Sequence, residues 1–335
     1  MAQAQSDSEY DAALRAVDAD DATLEEKTEM LMEIAMGMQA RPKTPDQLRR
    51  AVQLYERALA TCPADAPLLN ARVRARMGTA LQALPDAGFD ALRRARACYE
   101  EALPVLKAKG RKEEGAETEL NLGLVMQSLV GAGDARIVDA VQCYHRALSV
   151  FTREAFPQEY AILHNNLAIA YLSIPLSDER GKMREALAVQ SFEEVLKVVS
   201  LVDHPTEYAM IQNNLGNALQ YVSSGHALEN NIRALAAYDE ALKVRNPRDT
   251  PLEYANTISN RANVLRSLPD DIETEGAHPN NMSRARELYR EALGIFQRFG
   301  QSGSASVVQE ALEELEAQST LQPPVRSNGD GRLSA

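Results

Sequence analysis

Residues 140–148 read Ala-Val-Gln-Cys-Tyr-His-Arg-Ala-Leu, and five other stretches of the chain repeat their frame. The frame is a small residue, an aromatic four positions on, and Ala-Leu or its equivalent at the seventh and eighth. It recurs as Ala51…Tyr55…Ala58-Leu59, Ala95…Tyr99…Ala102-Leu103 and Ala188…Phe192…Val195-Leu196. Ala234…Tyr238…Ala241-Leu242 and Ala285…Tyr289…Ala292-Leu293 complete the set. Successive copies are offset by 44, 45, 48, 46 and 51 residues. Positions i, i+4, i+7 and i+8 fall on one face of an α-helix, so each copy is read as a helix with a buried aromatic stripe. A fixed period of this size marks a repeat array, in which each unit buries its apolar face against its neighbours.

Between the signature helices the spacing predicts a second set, over 68–84, 114–130, 158–174, 206–222 and 252–268, preceded by 24–38. Start signals fit. Thr250-Pro251-x-Glu253 and Thr44-Pro45-x-Gln47 place an N-cap, a Pro at the first helical position and a capping-box partner, and Thr23-x-x-Glu26 is a third box. Pro85, Gly131, Pro175, Gly225 and Pro269 stand where these helices should stop. Proline is expected between the periodic segments and not inside them. Six antiparallel helix pairs follow, closed by a helix over 304–318 whose expected apolar stripe is Val307, Val308, Ala311, Leu312 and Leu315. Its acidic opposite face suits the end of an array.

From Thr23 to Gln318 these residues resemble the tetratricopeptide repeat. That family places a small residue in the first helix where it meets the second, and Gly78, Gly123, Ala168, Gly216 and Ala262 occupy that position here. Pro63 matches the proline that closes a repeat. The period exceeds the family's usual 34 residues, as in its long-spacer bacterial form, with repeats of about 45 residues. The aromatic usual four residues before the small position is replaced by Arg74, His164 or Gln212. The resemblance implies an all-α, right-handed α-solenoid of six helix pairs plus a C-terminal capping helix. It implies no cofactor.

Two residues before the small position stand Arg76, Asn121, Asn166, Asn214 and Asn260. Asparagine inside a helix costs up to about 0.7 kcal/mol relative to Ala, so four in succession ask for a reason. In peptide-binding members of the family an Asn here lines the concave groove and grips main chain. A carboxamide has donors and an acceptor for a peptide group and reads no sequence in doing so. The alternative is that these side chains cap or bridge neighbouring first helices. Four such bonds at ~1 kcal/mol each would support only about millimolar affinity, so specificity must come from elsewhere. The neighbouring positions Arg72, Glu117, Ile162, Met210 and Asn256 differ from repeat to repeat, while Asn217 and Asn263 extend the polar strip. Arg72 and Arg76 stand where some members of the family clamp a carboxylate; a locally paired charge stripe is the competing reading.

Nothing in the sequence assembles chemistry. Gly131-Ala132-Gly133-Asp134 lacks the third Gly of a dinucleotide loop and reads as a turn. The five histidines are scattered, so no metal site is expected, and Cys98 and Cys143, at one equivalent position, read as core filler. No nucleophile–base pair emerges and no catalytic residue is assigned. The net charge of −12 argues against nucleic acid or an anionic membrane as partner. The amino terminus has no signal-peptide pattern and no 18-residue apolar run follows, so a soluble, cytoplasmic protein is expected.

The sequence therefore leads to a non-catalytic scaffold or adaptor that binds a protein or peptide partner, as an extended segment or a helix, in its groove. One alternative is a regulatory subunit that docks a folded partner on the loops 175–182, 223–230 and 269–280. Another, weaker, is an enzyme whose site is not recognised. The expected organisation is a flexible acidic arm over 1–22, the repeat domain over 23–318 and a disordered tail over 319–335.

Overall fold

The structure is a computed structural model that describes residues 14–15, 17, 22–40, 42, 44–85, 88–174, 179–222, 226–269 and 280–321. Among these residues thirteen α-helices run from Leu24 to Leu321 and no strand occurs. Most of the expected acidic arm, most of the expected tail and parts of the three long loops lie outside the described residues; within the arm Leu14, Arg15 and Val17 are helical, and Val17 is buried where a flexible arm was expected. The chain divides into two compact units, residues 1–177 and 178–335.

The first unit holds α1 (Leu24–Ala40), α2 (Pro45–Thr61), α3 (Pro67–Gln82) and α4 (Gly88–Lys109). It continues with α5 (Lys112–Leu129), a 3-10 turn at Val130–Ala132, α6 (Ile137–Leu148) and α7 (Pro157–Leu172). Each of α1 to α7 packs on the next, and α1, α3, α5 and α7 also touch in sequence, so the first helices form one layer of the unit. The second unit holds α8 (Glu179–Leu196), α9 (Pro205–Tyr221), α10 (Ala227–Leu242), α11 (Pro251–Leu265), α12 (Asn281–Arg298) and α13 (Ser302–Leu321). Here too neighbours in sequence pack on each other, and α9 touches α11. An all-α array of helix pairs is what the period requires.

The signature residues make the core. Tyr55, Tyr99, Tyr144, Phe192, Tyr238 and Tyr289 are all fully buried, as are the small residues four before them and, but for a trace at Val195, those three after; the closing Leu of each copy is half-buried. The reason for the small position is geometric. A Cβ added to Gly78, Gly123 or Gly216 would lie 2.7, 2.5 or 2.6 Å from the ring of Tyr99, Tyr144 or Tyr238. The ring lies flat on bare backbone, and the two helices of a pair come as close as that contact allows.

Several local expectations need correction. Thr44 and Thr250 are N-caps with Pro at the first helical position, but neither side chain caps its helix. Thr250 instead bonds back to Asn246, accepting from its N–H at 3.0 Å. The box at Thr23 does form: Glu26 accepts from the Thr23 N–H at 2.8 Å and its own N–H bonds Thr23 Oγ1 at 3.2 Å. Pro104 lies inside α4, where the ring removes one backbone donor after the signature has been completed. In α13, which runs from Ser302 to Leu321, the buried stripe is Ala305, Val308, Leu312 and Leu315, whereas Val307 is exposed, because the 3- and 4-residue spacing of the stripe leaves it about 100° off that face. Gly131–Asp134 is a turn, with Gly133 left-handed at φ 75°.

Candidate functional site

Each residue of the expected groove sits on a first helix, and the local sequence decides which way it faces. Gly78, Gly123 and Gly216 press against tyrosine rings, so residues two before them point away from the second helix. In the first unit α1, α3 and α5 converge on a recess of about 140 Å³ whose lining includes Met36, Arg72, Ala75, Arg76, Glu117 and Asn121. The structure thus brings Arg72, Arg76 and Asn121 together.

The two arginines are not free. Arg72 Nε donates to Glu114 Oε1 at 2.8 Å and Nη2 reaches Oε2 at 3.3 Å, so the planar fork faces the carboxylate. Burial pushes the Glu114 carboxyl up, but Arg72 and the Arg111 N–H outweigh it and hold its pKa below the usual value. Arg76 Nη1 bonds Glu117 Oε1 at 3.2 Å. Both glutamates lie on α5, so the pairs bridge neighbouring first helices. The locally paired charge stripe is the reading that fits, and a clamp built on free arginine charge does not.

The asparagines divide. Asn121, Asn166 and Asn214 are half-buried, and their carboxamides have no hydrogen-bond partner among the described residues. Asn260 behaves differently: its Nδ2 donates to Asn213 Oδ1 at 3.4 Å, a long bond joining α11 to α9. At that position the bridging alternative holds. Asn217 and Asn263 require correction. Asn217 Oδ1 accepts from the Tyr238 hydroxyl at 2.7 Å, and Asn263 Oδ1 accepts from that of Tyr289. One residue beyond the small position, a side chain faces the second helix and not the open face. Ile162 and Met210, four residues before Asn166 and Asn214, are 49% and 41% exposed, which is unusual for such side chains and leaves apolar surface beside each free carboxamide.

Two features escaped the sequence reading. Glu119 is buried on α5, where it accepts from Arg146 Nε at 2.7 Å and Nη2 at 2.9 Å and from Lys107 Nζ at 2.5 Å. It ties α4, α5 and α6 together. Its signal was present, since it falls where Arg74, His164 and Gln212 replace the usual aromatic. The second is a glutamine anchor for four of the five signature tyrosines. Gln39, Gln82 and Gln127 accept from the hydroxyls of Tyr55, Tyr99 and Tyr144, and Gln220 bonds Tyr238. Gln82, Gln127 and Gln220 lie four residues after the small position, and Gln39 lies four after Ala35, a buried small residue of α1. Where the aromatic is Phe192, which has no hydroxyl, the equivalent residue is Leu172.

Among the described residues the cysteines and histidines sit in structural settings. Burial pushes the thiols of Cys98 and Cys143 up to about 11 and about 12, so both stay protonated and unreactive. His145 Nε2 lies 2.8 Å from the Tyr171 hydroxyl. Among the described residues no three His, Cys, Asp or Glu side chains are grouped to hold a metal ion. No described helix is long and apolar enough to cross a membrane.

No family model matches the chain, and no curated protein does. Among solved structures it is similar to the MamA protein, at 16% identity and a TM-score of 0.42, covering 64% of this chain and 96% of that one. It is also similar to TTC0263, a thermophilic TPR protein of Thermus thermophilus, at 16% identity and a TM-score of 0.40, covering 74% and 99%. A third is the TPR2AB domain of yeast Sti1, solved as a complex with pHSP90, at 14% identity and a TM-score of 0.28, covering 85% and 99%.

Proposed function

We propose that the chain is a non-catalytic scaffold or adaptor that holds a segment of a protein partner against its first helices. One observation carries this reading: the carboxamides of Asn121, Asn166 and Asn214 stand half-buried and unpartnered at one repeat position, each on a different first helix. A half-buried carboxamide with no internal partner keeps its donors and its acceptor open to an incoming main chain. An extended peptide supplies donors and acceptors every ~3.3 Å, and neighbouring helices stand ~8–10 Å apart, so about every third residue would meet a rung. Each unit would present its own array of first helices, with Asn121 and Asn166 in the first and Asn214 in the second. The setting we propose is the cytoplasm, and the net charge of −12 argues against nucleic acid or an anionic membrane as partner.

The test begins with cross-linking pull-down to obtain a partner and peptide mapping to obtain its bound segment. Asn121→Ala, Asn166→Ala and Asn214→Ala should then each weaken that segment's binding by about tenfold, as expected for an unpaired peptide group. Normal binding in all three, with loss on trimming 270–279, would replace the groove by loop docking.

A further inference from the structure

The recess between α1, α3 and α5 has a chemistry of its own. Its volume, about 140 Å³, is close to the ~150 Å³ apolar cavity that accepts a benzene-sized guest. Met32 and Met36, one turn apart on α1, form one lip, and Met36 is 37% exposed. Methionine is flexible and polarisable, and so adapts to varied apolar shapes. Ala75 leaves the opposite wall low.

The polar groups around it are mostly engaged. Thr79 accepts from the Tyr99 hydroxyl and donates to the Ala75 carbonyl, and Thr118 donates to the Glu114 carbonyl. Arg72 and Arg76 are neutralised by Glu114 and Glu117. Two cations and two anions leave the recess with no net charge. An entering carboxylate would have to displace a glutamate from its arginine, and an entering ammonium would have to displace an arginine. Asn121, at the edge, has its carboxamide free for main chain.

From this we infer that the recess seats one large uncharged apolar side chain (Leu, Met or Phe) of a bound peptide, and excludes an acidic one. The inference rests on the groove reading above and narrows it, since it selects what the partner presents to the first unit. It also separates this chain from carboxylate capture, which the positions of Arg72 and Arg76 alone would have suggested.

The test uses the full chain labelled with 13C at its methionine methyl groups. The probes are capped tripeptides, acetyl-Gly-X-Gly-amide with X as Leu, Phe, Asp or Lys, at about 10 mM, above the ~1 mM affinity that a few weak contacts support. The Leu and Phe peptides should shift the Met32 and Met36 signals saturably, and the Asp and Lys peptides should not. Ala75→Leu, which fills the recess, and Met36→Ala, at an exposed site that the fold does not need, should each reduce that affinity at least threefold. Glu117→Gln frees Arg76 and should let the Asp peptide shift the same signals. An absence of shifts with every peptide, or a stronger response to Asp in the unaltered chain, overturns the inference. Shifts that survive Asn121→Ala would instead keep the recess and count against the carboxamide ladder.

Discussion

A Cβ built on Gly123 would stand 2.5 Å from Cε1 of Tyr144, closer than carbon atoms can approach. The pair sets the spacing of α5 and α6. Glycine in a helix costs about 1 kcal/mol relative to alanine, so propensity alone favours Gly123→Ala. Overpacking costs about 1–3 kcal/mol, and the ring is fully buried with nowhere to yield. We expect Gly123→Ala to destabilise the first unit by about 1 kcal/mol, read as a lower urea midpoint. A higher midpoint would mean that the ring slides at little cost.

The hydroxyl of Tyr144 donates to Gln127 Oε1 at 2.9 Å. Tyr144→Phe leaves that carbonyl without its donor and should cost about 1 kcal/mol. Gln127→Leu alone strands the hydroxyl and should cost a similar amount. The double variant recreates the Phe192/Leu172 combination that the chain already uses at the equivalent positions. A double-mutant cycle should therefore return a coupling of about 1 kcal/mol. Additive losses would show that the pairing in the sequence has no energetic basis.

Glu119 is a buried acid held by two cations, and its titration bears on stability below neutral pH. Burial pushes its pKa up, but Arg146 and Lys107 together outweigh burial and hold it below the ordinary 4.5. A carboxyl whose folded value is depressed stabilises the fold above its unfolded value, and that contribution is lost as pH falls through the folded value. Its partners are half-exposed and remain solvated when the acid is removed. The cost of Glu119→Gln should accordingly sit near the low end for charged hydrogen bonds, about 1.5 kcal/mol at pH 7. The difference between variant and parent should shrink once the pH drops below about 4.5. A gap that does not change with pH would rule out ionised Glu119 as its source.

The repeat frame was legible because the burial of one aromatic and two small residues per helix imposes a fixed spacing, and six copies share it. Two helix starts followed from Pro45 and Pro251, which begin helices with a preset φ. Side-chain partners were less legible. Spacing tells which face of a helix a residue occupies, but Asn214 and Asn217 lie less than one turn apart and meet different surroundings. The pairing of Arg72 with Glu114 spans 42 residues and depends on how neighbouring repeats pack. The tyrosine anchors were written in the sequence as Gln39, Gln82, Gln127 and Gln220, yet they emerge only when each is read against its aromatic.

Asn214 and Asn217 give the sharpest contrast between a residue kept for a partner and one kept for the fold. Asn214 has no partner among the described residues, so Asn214→Ala removes nothing internal. It should gain up to about 0.7 kcal/mol of helix propensity. Asn217 accepts from the buried Tyr238 hydroxyl at 2.7 Å, and its loss removes that acceptor. Asn217→Ala has the same propensity gain but gives up a hydrogen bond of about 1 kcal/mol. The two variants should therefore differ by about 1 kcal/mol, with Asn217→Ala the less stable. Calorimetry should place its melting temperature some degrees lower. Asn214→Ala should melt at or above the parent and lose affinity for the partner segment. If Asn214→Ala melts early while binding stays normal, its carboxamide belongs to the fold, and the ladder loses the rung that the second unit contributes.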